Sequence, residues 1–223
     1  MPSMNSSNKI TVGARSSRLS QAQVWEVLRE LKAYHPEIEF EPVWISTYGD
    51  KDKQTSLRDL EKTDFFTREV DQLQLQGKIR ISIHSAKDLP DPLTQGLKVV
   101  ALTKGVDPSD VIVYNQEPFP IGAIIGTSSL RREQNLKEWR SDIECRDIRG
   151  NIDERLAQLD TGKYDGIVMA EAALIRLGLT HRKRMPIIGE VAPLQGKLAV
   201  IALESDSEMH ELFRCIDDTV SRN

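Results

Sequence analysis

Residues 79–90 read Ile79-Arg80-Ile81-Ser82-Ile83-His84-Ser85-Ala86-Lys87-Asp88-Leu89-Pro90. Apolar and polar residues alternate up to Ile83, the period of a strand. The chain then enters a turn that crowds hydroxyls, a cation and one acid ahead of a rigid Leu-Pro pair. The same hand-over recurs elsewhere. The apolar run at Ile10 passes into Ala14-Arg15-Ser16-Ser17-Arg18-Leu19, Gly126-Thr127-Ser128-Ser129 opens onto Leu130-Arg131-Arg132, and segment 143–148 leads to Arg149-Gly150-Asn151. Helices are predicted beyond these turns. Residues 21–34 place Val24, Val27, Leu28 and Leu31 at i, i+3, i+4 and i+7, with Ser20 as the predicted N-cap. Segments 130–139, 152–159, 172–177 and 208–220 are the other expected helices, and 40–45, 98–102, 111–113, 167–169 and 198–203 the other expected strands. This alternation predicts an α/β fold with mixed, mainly parallel sheets. Segment 104–119, punctuated by Asp, Pro and Gly, reads as a crossing between two lobes, and a second crossing falls near Pro193. Strand 198–203 then returns to the first lobe, where the terminal helix packs on it.

The chain has 223 residues, of which 39% are hydrophobic and 29% charged, enough to bury a core. No apolar run approaches the ~18 residues that span a bilayer. Residues 1–8 are polar and lack the apolar stretch of a signal peptide, so a cytoplasmic location without a membrane partner is expected. The two cysteines, Cys145 and Cys215, have no neighbouring Cys or His at metal-ligand spacing, so no metal is expected. A net charge of -4 argues against nucleic acid as a partner.

Placement of the arginines matters more than their number. Small hydroxyl residues and glycine let backbone N–H groups approach an anion at a helix N-terminus, and arginine adds a planar fork matched to an oxyanion. Several such turns at the C-terminal ends of parallel strands would build a polyanion cleft. Carboxylates are the expected ligand, because the chain has neither a Gly-rich loop ending in Lys-Ser or Lys-Thr nor a dinucleotide fingerprint. Each turn taken singly is also compatible with a capped helix carrying a solvated arginine. Asp88, the acid inside these basic turns, suits stabilisation of a cation or proton transfer to a departing amine. A salt bridge to Lys87 or to an arginine is the plainer reading of the same residue.

These turns carry a family resemblance. His84-Ser85-Ala86-Lys87-Asp88-Leu89-Pro90 is similar to the HS-x-KD-hydrophobic-P motif of the hydroxymethylbilane synthase (porphobilinogen deaminase) family, and Gly126 to Arg132 matches its GTSSLRR motif residue for residue. Arg149-Gly150-Asn151 with Arg155 resembles its RGN-x-x-x-RL block, and Tyr164-Asp165 through Arg176-Leu177-Gly178-Leu179 resembles a further stretch, departing at Met169 and Glu171. The resemblance implies two lobes like those of periplasmic binding proteins, with the active-site cleft between them. Residues 1–103 plus 198–223 would form lobe one and 104–197 lobe two. It also implies stepwise deaminating condensation of four porphobilinogen molecules onto a dipyrromethane cofactor, by a monomer. Under it Asp88 is catalytic, steadying the pyrrole N–H and the azafulvene-like cation left after deamination. Lys87, Ser85, Ser129, Arg131, Arg132 and Asp50 would hold the cofactor. Arg15, Ser17, Gln23, Arg68, Thr127, Ser128, Arg149, Gly150, Asn151, Arg155, Arg176 and Gln195 would hold substrate.

The sequence departs from the family in three places. Glu61-Lys62-Thr63-Asp64-Phe65-Phe66-Thr67-Arg68 replaces a Gly- and Lys-rich stretch, so that Asp64 brings a repelling charge while Arg68 keeps a positive one. Leu194-Gln195-Gly196-Lys197 keeps only Gln195-Gly196 of a Gly-Gln-Gly-Ala element. No Gly-Gly-Cys, the family's cofactor-bearing loop, occurs, so the third domain is expected to be absent and Cys215 is the candidate anchor. Three readings follow: a shortened synthase, a noncatalytic tetrapyrrole- or polycarboxylate-binding protein of the same fold, and a two-lobed binder of small oxyanions.

Overall fold

The computed structural model describes residues 9–52, 55 and 63–219. The first lobe is built on strands β1 (Lys9–Arg15), β2 (Glu39–Ile45), β3 (Ile81–Ser85) and β4 (Leu97–Leu102), with helices α1 (Arg18–Lys32), α2 (Tyr48–Lys51) and α3 (Arg68–Leu75). The second carries β5 (Asp110–Tyr114), β6 (Ile124–Gly126), α4 (Leu130–Trp139), β7 (Glu144–Arg146), α5 (Ile152–Asp160), β8 (Gly166–Ala170), α6 (Glu171–Arg176) and β9 (Arg184–Pro186). The chain then returns through β10 (Leu198–Leu203) and α7 (Ser207–Phe213).

Two five-stranded sheets result, in the orders β2-β1-β3-β10-β4 and β7-β6-β8-β5-β9. β1 pairs in parallel with β2 and β3, and β10 runs antiparallel to β3 and β4. The second sheet repeats the pattern, with β6 parallel to β7 and β8, and β5 antiparallel to β8 and β9. Each sheet therefore has one reversed strand, and that strand adjoins a crossing between lobes: β5 follows the outward crossing and β10 the return. The crossings touch, with Val106 N–H donating to the Gly196 carbonyl at 3.2 Å. Gly196 has φ 87°, and a Cβ there would stand 2.4 Å from the Val106 carbonyl oxygen, so only glycine fits this close passage.

The strand alternation at 79–83 has a double purpose. Ile81 and Ile83 join the apolar core that α1 closes with Val24, Val27, Leu28 and Leu31. The buried Ser82, between them, donates its hydroxyl to Gln74 Oε1 at 2.8 Å, and Gln74 Nε2 donates to the Ile201 carbonyl at 2.8 Å. The second face of β3 is thus polar: Ser82 is bonded within it, while Nε2 of the buried His84 on the same face has no hydrogen-bond partner among the described residues. The second lobe has a core on each side of its sheet, one around Val111, Val113 and Ile167, the other around Ile112, Ile125 and Val168.

Four details differ from the sequence-based expectations. Helix α1 starts at Arg18, because Ser17 rather than Ser20 is its cap, accepting the Ser20 N–H at 3.3 Å. Strands β6, β7 and β9 have three residues each, too short to show a period. Helix α3 was not expected; the first half of the surrounding segment, including Glu61 and Lys62, lies outside the described residues. The terminal helix stops at Phe213 and a 3-10 turn, Arg214–Ile216, follows, since the Asp217 carboxylate accepts the Leu102 N–H at 2.9 Å and ties the chain to β4; residue 220 is outside the described part. No described helix is long and apolar enough to cross a membrane.

Candidate active site

The four basic turns leave the C-terminal ends of β1, β3, β6 and β7 and meet between the lobes around a cleft of about 730 Å³. From the first turn, Arg15 donates from Nε to Asp50 Oδ1 at 3.1 Å, forms a second bond through Nη2, and lies over the Phe66 ring at 4.3 Å from its centroid. Asp50 belongs to the capping box of α2, accepting from the Thr47 N–H and hydroxyl at 3.1 and 2.8 Å. Burial pushes the Asp50 carboxyl up, but the Arg15 fork and Thr47 outweigh it and hold the group below the usual range. Gln23 on α1 reaches across and donates to the Ser85 hydroxyl at 2.7 Å.

The second turn coils as a 3-10 helix, Ala86–Asp88, that sets Lys87 and Asp88 on the cleft wall. Lys87 donates to Gln195 Oε1 at 2.9 Å. Burial and the nearby Arg132 lower the Lys87 pKa to about 8, against the opposing pull of Asp88 and Asp110. Asp88 is exposed and has no hydrogen bond or ion pair among the described residues, so the salt-bridge reading does not hold. Its charge is felt by Lys87 and Arg155.

In the third turn Ser128 is committed to the backbone, donating to the Ile148 carbonyl at 2.6 Å and accepting its N–H at 3.1 Å. Ser129 starts α4 without a side-chain cap bond, which leaves its hydroxyl on the cleft wall. Arg131 and Arg132 share the buried Asp110, at 2.9 and 2.6 Å. The fourth turn needs Gly150, at φ 108°, and Asn151 caps α5 by accepting the Glu154 N–H at 3.0 Å. Arg155 donates to the Gly150 carbonyl at 2.8 Å; its burial, with Arg132 and Arg149 close by, lowers its pKa to about 10. Arg149 donates from Nη2 to the Asp52 carbonyl of the opposite lobe at 2.6 Å. Its Nε and Nη1, and Nε of Arg132, are buried without an acceptor among the described residues. Buried donors are costly unless an acceptor meets them, and these suit a ligand rich in oxygen acceptors.

Arg176 is brought to the cleft but is already engaged, donating to Glu26 Oε2 and Oε1 at 2.7 and 2.9 Å and to the Gly196 carbonyl at 2.8 Å. Gln195 stands at the return crossing, donating to Asp110 Oδ1 at 2.9 Å. Three expected residues are not brought to the cleft. Arg68 pairs on the surface with Asp64, at 2.8 Å, so the acid expected to repel instead binds this cation. Thr127 is buried, and its hydroxyl accepts the Ser129 N–H at 3.3 Å. Cys215 lies in the 3-10 turn after α7, in a groove with Tyr34 and His35, where its Sγ donates to the Leu212 carbonyl. Asp110 and Glu26 went unseen in the sequence. A lone acid opening an apolar strand was the available signal for Asp110; Glu26 gave none, being one more charge on the polar side of α1.

Comparison with known proteins agrees with this arrangement. In solved structures the fold resembles an amino acid ABC transporter substrate-binding protein from Streptococcus pneumoniae (TM-score 0.54, 11% identity, covering 94% of this chain and 86% of that one). It also resembles the periplasmic VFT2 domain of Bordetella pertussis BvgS (TM-score 0.52, 12% identity, 92% and 85% covered). At such identities the likeness concerns fold alone. A probable porphobilinogen deaminase of Chlamydia pneumoniae is 39% identical over 208 residues, 92% of this chain and 88% of its own. Porphobilinogen deaminase of Streptococcus sanguinis is 36% identical over 220 residues, 94% of this chain and 72% of its own. Residues 10–211 match the family described as porphobilinogen deaminase, dipyromethane cofactor binding domain, and the chain therefore belongs to the porphobilinogen deaminase family.

Proposed function

We propose that Asp88 is the catalytic group of a hydroxymethylbilane synthase, a transferase of porphyrin biosynthesis that condenses porphobilinogen with loss of ammonia. The observation that carries the assignment is an acid with no hydrogen-bond or ion-pair partner among the described residues, on the wall of a cleft rich in arginines, whereas the acid Asp50 on the same wall is paired with Arg15. As the C–N bond of the aminomethyl group breaks and ammonia leaves with the electron pair, positive charge develops on the substrate's pyrrole ring. A carboxylate at the pyrrole N–H stabilises that charge, the more so once bound substrate displaces water from around it. The acetate and propionate groups of porphobilinogen are matched by Arg15, Arg149 and Arg155, with backbone N–H groups at Ser17 and Gly150 close by.

The residues present also fit a dipyrromethane. When bound, it supplies the pyrrole carbon to which new units are joined. Ser129, Arg131, Arg132 and Lys87 would hold its carboxylates, and the unpartnered N–H groups of Arg132 and Arg149 are the donors such oxygens would satisfy. No thiol fits: among the described residues neither Cys145 nor Cys215 lines the cleft. We further read residues 1–103 with 198–223 as one lobe and 104–197 as the other, in a cytoplasmic monomer that does not bind nucleic acid.

Asp88→Asn tests the assignment. The change keeps shape and removes charge, so turnover should fall by about a hundredfold or more while affinity for porphobilinogen is retained. Undiminished turnover in a folded variant would rule out the assignment.

A further inference from the structure

Asp110 is the first residue of β5, where the chain enters the second lobe, and it is 1% exposed. It does not line the cleft, yet its carboxylate carries a large share of the cleft's cations. Oδ2 accepts Arg131 Nη2 at 2.9 Å; Oδ1 accepts Arg132 Nη2 at 2.6 Å and Gln195 Nε2 at 2.9 Å. Gln195 in turn accepts Lys87 Nζ of the opposite lobe at 2.9 Å.

Arg131 and Arg132 are neighbours in the first turn of α4, where the helix dipole disfavours cations and the two guanidiniums repel each other. Without the buried anion behind them, Arg131 would keep only the Glu190 carbonyl, which accepts from its Nη1, and Arg132 would lose its acid partner. With Asp110 accepting from Nη2 of each and the Glu190 carbonyl from Arg131 Nη1, both forks are fixed, and Arg132 Nε is buried with no hydrogen-bond partner among the described residues. We infer that Asp110 is a positioning residue, which orients Arg131, Arg132 and, through Gln195, Lys87 for the carboxylates of the pyrrole ligands. The inference rests on the reading that these cations hold the ligand.

Lys87 offers a second readout beside affinity. The charged groups that act on it are Arg131, Arg132, Asp88 and Asp110, and Asp110 favours its protonated form. Asp110→Asn keeps the side-chain shape and removes the charge. The experiment compares this variant with Asp110→Glu, Arg131→Ala and Arg132→Ala, after circular dichroism has shown them folded. Porphobilinogen affinity is measured by calorimetry. Lys87 titration is measured by trace acetylation against pH with peptide mass mapping. In Asp110→Asn, affinity should fall by about tenfold or more, and the acetylation midpoint should move below that of the unaltered chain. Asp110→Glu should recover part of both. Should Asp110→Asn not fold, Gln195→Leu, which cuts the branch to Lys87 together with the bond to the Pro108 carbonyl but leaves Asp110 its two arginines, must still lower the midpoint. A folded Asp110→Asn that binds and titrates like the unaltered chain, while Arg131→Ala and Arg132→Ala lose affinity, overturns the inference and leaves the cleft reading standing. Full affinity in both arginine variants overturns the cleft reading itself, and the positioning role with it.

Discussion

Glu26→Gln should make the protein less stable and a better binder. Glu26 on α1 and Arg176 on α6 form a two-bond ion pair across the lobe seam, with side-chain exposures of 31% and 5%. An exposed pair contributes at most about 1 kcal/mol, and an orphaned buried charge costs about 3–5 kcal/mol. Arg176 falls between, because it keeps the Gly196 carbonyl at 2.8 Å and the glutamine oxygen can still accept one bond. About 1.5–2.5 kcal/mol follows, equivalent to a Tm lower by roughly 3–10 °C for a chain of this size. The effect on binding has the opposite sign. Glu26 occupies the guanidinium that a ligand carboxylate would otherwise take, so the ligand must displace it. Removing the charge lifts that competition, and affinity for porphobilinogen should rise by about tenfold, the equivalent of ~1.4 kcal/mol. Thermal melts and calorimetric titration at low ionic strength measure both quantities. A variant that melts lower yet binds no tighter would show that Arg176 is a clasp between lobes and holds no ligand carboxylate.

Two further outcomes follow from the geometry. With Lys87 lowered to about 8 from an ordinary 10.5, the native chain sheds this proton at a pH where the unfolded chain still holds it. Its contribution to stability therefore rises with pH between about 8 and 10.5, while carboxylate binding declines over that window. The kcat/KM profile should show a basic limb near pH 8 that Lys87→Arg removes; a limb unchanged in that variant would assign it to another group. Gly196→Ala forces a Cβ to within 2.4 Å of the Val106 oxygen at a φ of 87°, and should cost about 2 kcal/mol or more. A variant melting within a degree of the parent would show that the crossings are not packed as described.

The motifs made most of the site legible, because anion-binding chemistry is local. A hydroxyl-rich turn, a glycine of positive φ and a following helix are set by adjacent residues, and Gly150 with Asn151 behaves as its sequence suggests. The failures are equally physical. Arg68 satisfied every charge argument and is held outside the cleft by Asp64 four residues earlier on the same surface. Thr127 is part of a matching motif, yet its hydroxyl serves the backbone inside the lobe. Cys215 carries the thiol an anchor needs, but tertiary packing sets it in the turn after α7, away from the cleft.

The sequence by itself determined the hand-overs from β1, β6 and β7 to helices, the basic turns and the isolated acid at Asp88, since each depends on residues within one turn of chain; the helix expected after β3 is only the 3-10 coil Ala86–Asp88 before β4. Only the tertiary structure decided the partners of those charges. Asp110 meets Arg131 and Arg132 from 21 and 22 residues away, and Glu26 meets Arg176 from 150. Sequence separation carries no information about such encounters. The two crossings between lobes, by inserting one reversed strand into each sheet, bring these groups to the same seam.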